Sequence, residues 1–413
     1  MPFKQDDIGD VSQDAPSVLI LYPWGIESVR KKNIGAGLRV GLLADFLLDK
    51  GFHVTVLSTG RSSWETEDRG ILFRQLVFPS SFGLFCLYAL VLLVSRIGRM
   101  PALQAFTYFF FPGFDQRFSA RLIDIAEEHD VVLLEYPFWF EALGAGSKRL
   151  ILTNHDVLSV SWTKEGPSFV NKFMFGKLLN RELAAMKSAH SSVVVSHSDA
   201  EYFRARGVQG IRVVTNPVAL QEEELISPAR GNNELEKTLE GFESAALFVG
   251  SGWIPNREAV KSIIEEIAPA CPEIIFFIAG DCGKGIRCFA PNIRLLGSVE
   301  PAVLEDLYHI VKFCLIPVPW GTGTSLKAVE AMSRGKVIIA TRVGVRGIPF
   351  EHGIHGIVCD DAKDYPAWIK TLLADSEKCS QMTCRAKLVA KNFDYRNVYG
   401  TYLELIDGFL NGK

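Results

Sequence analysis

The residues with the plainest chemistry sit in one run: Pro319-Trp320-Gly321-Thr322-Gly323-Thr324-Ser325-Leu326-Lys327-Ala328-Val329-Glu330. The apolar stretch Phe313 to Ile316 comes before it and a helical pattern follows. The run therefore reads as a strand, a glycine-bearing turn and the opening of a helix. Gly321 and Gly323 let the backbone come close to a ligand, and Thr324 or Ser325 is placed to cap the helix. Exposed N–H groups and the positive end of the helix dipole make such a turn an anion site. Lys327 falls in the first helical turn, where the dipole opposes a cation; a bound phosphate would account for it. Glu330 lies three residues on, on the same face, and a carboxylate beside a phosphate site suits the hydroxyls of a ribose. The bland alternative is a capped helix with an exposed Lys–Glu pair. The strand and the glycine turn favour the ligand site.

The first half offers a second set. His155 follows the strand pattern Leu150 to Leu152, in Thr153-Asn154-His155-Asp156. Residues just past a parallel strand face the ligand crevice, although such a histidine can also serve only to bond a loop. Glu135 follows Val131 to Leu134 and precedes Tyr136-Pro137-Phe138-Trp139-Phe140. Glu135 and Trp139 suit a sugar acceptor, and burial among aromatics would raise a carboxylate's pKa. A loop residue capping the next segment is the equal alternative. Gly35-Ala36-Gly37 with Arg39 forms a glycine loop after the strand Val18 to Leu21. A nicotinamide site would want a carboxylate at the end of the second strand, but that strand ends Leu57-Ser58-Thr59-Gly60.

These residues need a frame that holds strand ends together. Val18 to Leu21, the helical stretch Leu38 to Leu48, and His53 to Leu57 form a strand–helix–strand unit, which implies a right-handed crossover and a parallel sheet. Strands recur at Val131, Leu150, Ser192 and Ile211, and the rhythm restarts at Ala246, Ile274, Ile293, Phe313 and Val337. The expected class is α/β: two Rossmann-like domains facing a central cleft. The expected boundaries are 1–217 for the first domain, 218–243 for a charged linker and 244–392 for the second domain. Residues 393–413 are expected to form a C-terminal helix packing back on the first domain.

Composition narrows the classes. With 413 residues, 48% of them hydrophobic and 22% charged, the chain is globular and large enough for two cores. A net charge of −3 gives no global pull toward nucleic acid or anionic lipid. The eight cysteines contain no Cys-x-x-Cys pair and fit reduced thiols. The polar N-terminus is unlike a signal peptide. The apolar run Phe82 to Val94 is thirteen residues, against about 20 for a spanning helix. Phe82 to Phe114, with Arg96, Arg99 and Arg117, is either a membrane-touching surface or helices packed on the first sheet. Packing is the favoured account for most of its residues. The expected location is cytoplasmic, with peripheral contact at the inner membrane face as the alternative.

The ordered motifs of the second half resemble the donor domain of the large retaining glycosyltransferase family numbered four, which has the GT-B fold. They are Val249-Gly250-Ser251-Gly252-Trp253-Ile254-Pro255-Asn256, Ala279-Gly280-Asp281, Leu296-Gly297-Ser298-Val299, Pro319 to Gly323, Lys327, Glu330-Ala331-Met332, Gly335, Ala340-Thr341 and Gly347-Ile348. The "VGS…PN" opening resembles one branch of that family. The resemblance implies that Glu330 holds the donor ribose, that Lys327 meets the diphosphate, and that backbone amides at Thr322, Gly323, Thr324 and Ser325 contact sugar or phosphate. Gly250 and Ser251 would line the diphosphate pocket and the segment from Gly280 and Asp281 would flank the base. Asn256 and Arg257 stand in the region where many relatives carry an Arg and a Lys, Arg257 being the candidate substitute. Gly35, Gly37 and Arg39 would sit against the donor, and His155 would contact its sugar. Relatives carry a second glutamate where this chain has Thr322. The implied activity is transfer of a hexosyl group, with retention and without a metal, from a UDP- or GDP-linked sugar to a glycan or lipid-linked acceptor. No cofactor is expected beyond the nucleotide-sugar substrate. No Asp-x-Asp pair is present, Asp360 and Asp361 being adjacent. A sugar-nucleotide epimerase and a non-catalytic scaffold are the alternatives.

Overall fold

The computed structural model describes residues 14–31, 35–97, 101–144, 149–163, 168–220, 235, 237–321 and 323–411. Most of the expected linker, 218–243, and Thr322 lie outside these residues. The contacts divide the chain into two units: 1–215 with 398–413, and 216–397.

The first unit is built on strands β1 (Ser17–Leu21), β2 (His53–Gly60), β3 (Trp64–Asp68), β4 (Ile71–Val77), β5 (Val131–Glu135), β6 (Leu150–Asn154), β7 (Ser191–Val194) and β8 (Ile211–Val213). Their order in one sheet is β3-β4-β2-β1-β5-β6-β7-β8. Only β3 runs antiparallel to its neighbour. Strands such as β5 (VVLLE) are buried along their whole length, as expected where helices cover both faces. The chain leaves β1 in one direction to β2 and returns on its other side to β5. The switch point therefore lies at the carboxyl ends of β1 and β5. The β3–β4 hairpin has no counterpart in the sequence expectations. Its strand β3, WETED, is charged and half exposed, as an edge strand can be, and carries no apolar run to mark it. The C-terminal helix Gly400–Leu410 packs in this unit through Tyr402, whose hydroxyl lies 2.7 Å from Thr153 Oγ1 at the end of β6.

The second unit carries β9 (Ser244–Val249), β10 (Ile274–Ala279), β11 (Ile293–Gly297), β12 (Phe313–Ile316), β13 (Val337–Ala340) and β14 (Ile357–Val358), all parallel, in the order β11-β10-β9-β12-β13-β14. Its core joins Phe248, Phe276, Ile278, Phe313, Ile339 and Met332, all at most 2% exposed. Here the switch point falls at the ends of β9 and β12, so the segments after Val249 and after Ile316 must meet there.

The helix Phe82–Ile97 departs from the packing account. Ser95 is its only buried residue, while Phe82, Leu87, Leu90, Leu93, Val94 and Ile97 are exposed. The helix is apolar all round. It spends one side on the next helix, Pro101–Phe114, through Tyr88, whose ring lies 5.2 Å from Phe111. The other side has no core to meet. No helix of the described residues is long and apolar enough to cross a membrane.

Candidate functional site

In the second unit the switch point gathers the expected donor residues. Lys327 lies in the first turn of the helix Leu326–Ser333, and its Nζ donates to Asn256 Oδ1 at 2.5 Å. The ammonium also sits 4.6 Å from the centre of the Phe248 ring. Asn256 Nδ2 donates in turn to Ser251 O at 3.1 Å and Ser251 Oγ at 3.3 Å. One chain of contacts thus joins the end of β9, the helix Ile254–Ser262 and the helix after β12. Burial first, then the positive charge of Arg346, hold the Lys327 ammonium down to about 7. Burial raises the Glu330 carboxyl, with the nearby Arg334 guanidinium opposing it. Lys327 and Glu330 form no ion pair with each other; the lysine is directed at Asn256 instead.

Ser325 occupies the N-cap position, but its side chain makes no capping bond. Its hydroxyl is buried and has no hydrogen-bond partner among the described residues. That corrects the expectation of a serine cap. The turn before the helix is held from the side, Ser325 N donating to Arg346 O at 3.1 Å, and Gly323, Thr324 and Ser325 are all buried. An unsatisfied buried donor is costly and invites an acceptor oxygen.

Gly280 closes the cluster. It follows β10 at φ 98°, and a Cβ there would meet Gly250 O at 2.2 Å. Only glycine fits both the dihedral and the gap. Gly280→Ala should therefore cost about 2–5 kcal/mol and lower the unfolding midpoint by on the order of 10 °C. Gly252→Ala, with the nearest atom 3.6 Å from an added Cβ, should leave the midpoint unchanged. Thermal unfolding followed by circular dichroism checks both. Asp281 is exposed and accepts from Ser298 Oγ at 3.2 Å, and Arg257 is exposed on the helix Ile254–Ser262.

The first unit forms a separate constellation at the ends of β5 and β6. His155 Nε2 lies 2.5 Å from Glu135 Oε2, and both side chains are buried. Glu135 therefore serves the histidine and is not open to a ligand as an acceptor-binding residue would be. Its Oε1 has no partner among the described residues. Burial lowers the His155 pKa, so the ring is neutral near pH 7 and donates Nε2–H to the carboxylate. The Tyr136 ring stacks on the imidazole at 4.2 Å and 11°, from a backbone with φ 73°. Such strain in a non-glycine residue clusters at functional sites.

Three further expectations are corrected. Trp139 is 3% exposed and packs against Phe118 at 5.6 Å, so it belongs to the core and not to an acceptor surface. Arg39 is 1% exposed. It donates to Val214 O at 3.1 Å, Thr215 O at 2.9 Å and the Tyr402 hydroxyl at 3.2 Å. It ties the end of β8 to the C-terminal helix within its own unit rather than facing donor phosphates. Gly35 and Gly37 lie inside the first turn of the helix Gly35–Asp49, not in a loop. Gly37 is needed for close approach: a Cβ there would lie 2.5 Å from Ser28 O.

Sequence reasoning missed two residues. Glu182 is fully buried and accepts from Leu158 N at 2.9 Å, Ser159 N at 3.2 Å and Asn154 Nδ2 at 3.2 Å, clasping the segment that follows His155. Burial pushes its carboxyl up to about 8. Its only signal was a carboxylate within the helix Ser168–Ser188, a weak one. Arg346 stands against the glycine turn, its guanidinium carbon 2.7 Å from where a Cβ on Gly321 would be. A basic residue a few positions past the end of β13 was the available sign.

Two doubly wound parallel units, with an anion-ready helix terminus at the switch point of the second, have the architecture of the GT-B fold. The sequence agrees in both halves: residues 35–222 match the model for Glycosyltransferase Family 4, and residues 243–375 match Glycosyl transferases group 1. The chain belongs to this group 1, family 4 class of glycosyltransferases. No curated protein matches it significantly. Among solved structures it is similar to a sucrose-phosphate synthase from Thermosynechococcus elongatus, at 15% identity and TM-score 0.68, over 96% of this chain and 100% of that one. It is similar to a UDP-forming α,α-trehalose-phosphate synthase from Burkholderia vietnamiensis, at 12% identity and TM-score 0.69, over 97% and 100%. A third is HepE from Anabaena, solved with UDP and glucose, at 14% identity and TM-score 0.64, over 95% and 100%. At these identities the likeness speaks to the fold alone.

Proposed function

We propose that the chain transfers a hexosyl group from a nucleoside-diphosphate sugar, UDP-linked before GDP-linked, to a hydroxyl of a glycan or lipid-linked acceptor. The carrying observation is the half-buried Lys327 beside Asn256, two residues from the Ser325 hydroxyl that has no partner among the described residues, at the switch point of the second sheet. A diphosphate there would recharge the lysine and satisfy the hydroxyl. In the reaction the bond from the anomeric carbon to the diphosphate oxygen breaks and its electron pair stays on that oxygen. Lys327 and the helix N-terminus stabilise the growing charge, and the acceptor oxygen forms the new bond as its proton passes to the departing diphosphate. Glu330 is the residue proposed for the ribose, with Gly250, Ser251, Gly280 and Asp281 around the nucleotide. His155 is proposed for the sugar, held by Glu135. Retention is what the family resemblance implies. Uracil as the base is supported by the UDP and UDP-glucose bound to HepE. The scaffold alternative rests on Thr322, at the position where the family resemblance implies a glutamate.

Calorimetric titration with UDP, GDP, ADP and dTDP tests the proposal. One nucleotide should bind at least tenfold, or about 1.4 kcal/mol, more tightly than the others. Absence of binding by all four would overturn the donor site. Binding without any release of nucleotide from the matching sugar donor would favour the scaffold.

A further inference from the structure

We propose that the outward face of the helix Phe82–Ile97 seats the first unit on an anionic lipid surface. The inference is independent of the donor site. Phe82, Cys86, Leu90, Leu93 and Ile97 recur at spacings of four and three, which places them on one stripe, and all are exposed. Phe82 is 82% and Ile97 76% exposed, and Leu87 and Val94 widen the stripe. Elsewhere the exposed large apolar residues, such as Phe289 and Leu388, are far apart in sequence and in different elements. A continuous stripe of this size marks an interaction surface.

Charge decides what covers it. Between Gln75 and Ile123 the sequence has four arginines, Arg96, Arg99, Arg117 and Arg121, and one acid, Asp115; the exposed acids Asp124 and Glu127 come only farther along the helix Gln116–Glu127, away from its Asp115 end. Asp115 is 1% exposed and accepts from Ser80 N at 2.6 Å, so this stretch presents no exposed carboxylate. The chain as a whole carries −3, which makes the local excess of positive charge more pronounced. The Ser80–Asp115 bond also ties the start of the apolar helix to the turn before the exposed Arg117 and Arg121, while the exposed Arg96 lies at its far end. An apolar stripe flanked at both ends by arginine fits a helix lying in the plane of an anionic bilayer, its face in the acyl boundary and its cations at the headgroups. A two-fold contact with a second copy would set the same arginine clusters near one another, which anionic lipid avoids.

The test is flotation of the full chain with phosphatidylcholine vesicles and with vesicles of phosphatidylcholine and phosphatidylglycerol. The expected result is binding to the anionic vesicles, weakened by high salt. The double variant Leu90→Glu/Leu93→Glu should lose about tenfold or more in partitioning, while Leu388→Glu, at an exposed leucine in the second unit, should lose none. Circular dichroism shows whether the double variant folds. Should it not, a polarity-sensitive fluorophore on the exposed Cys86, in a Cys384→Ser background, gives the answer without it: its emission should shift to the blue on mixing with anionic vesicles. No binding of the wild-type chain to anionic vesicles, unchanged binding by a folded double variant, or no emission shift would overturn the proposal. A concentration-dependent dimer dissolved by the two glutamates, without vesicle binding, would overturn it in favour of self-association.

Discussion

Lys327→Ala is expected to lower turnover of the nucleotide-sugar donor by about 10²–10³-fold, the loss typical when one preorganised charge stabiliser is removed. The reason lies in where the ammonium is kept. It is held by a neutral partner, Asn256 Oδ1, and by the face of Phe248, with no carboxylate bound to it among the described residues. A diphosphate would be its first anionic partner. The pH dependence gives a second readout. Burial and Arg346 hold the free lysine at about 7, so above that pH the free protein has a neutral Lys327. Binding a diphosphate favours the charged form and so takes up a proton. Nucleotide affinity should then be flat below about pH 7 and fall above it by up to tenfold per unit, until the pKa of the bound form is passed. In Lys327→Ala that slope should vanish. Calorimetry across pH, with the proton uptake obtained from two buffers of different ionisation enthalpy, measures both. A wild-type slope that persists in the variant would remove Lys327 from the site.

The second large effect is expected at Glu135. Glu135→Gln should reduce kcat by about 10–10²-fold with KM changed little, and His155→Ala by more, within the range for a positioned acid–base or polarising group. Glu135 acts through His155, so it is a positioning residue, and a merely structural role would also lower activity. The pH profile separates the two. The carboxylate bond raises the His155 pKa against the lowering by burial. Removing the charge therefore lowers that pKa further, and any acid limb of kcat that reports protonation of His155 should move to lower pH in Glu135→Gln. An acid limb that stays in place while kcat falls would show that Glu135 only supports the fold.

Much of this was legible in the residues. The buried parallel strands announced themselves as apolar runs, because a strand covered on both faces has no reason to alternate. The glycine turn was legible because its chemistry is local: a strand, two glycines, a helix start and a lysine lie within fifteen residues, Phe313 to Lys327. The β3–β4 hairpin was not, since an edge strand such as Trp64–Asp68 makes few apolar demands. Glu135, Trp139 and Arg39 stood out in the sequence as candidates for a sugar or a phosphate, and the partners that gave them other roles were not foreseeable. Arg39 meets Val214 O across 175 positions of sequence.

The order of residues by itself determined the α/β class, the two sheets, and the segments that end at each sheet's ligand-facing edge, for these follow from periodicity and from local glycine and helix-start chemistry. Only the tertiary structure decided what each polar side chain does there. It buried Arg39 and Trp139, joined Glu135 to His155, set Lys327 on Asn256, left the Ser325 hydroxyl without a partner among the described residues and turned the apolar side of Phe82–Ile97 outward. The physical reason is that burial and hydrogen bonding are properties of neighbours brought together by the crossovers of a parallel sheet. Those neighbours are distant in the chain, and no spacing along it encodes them.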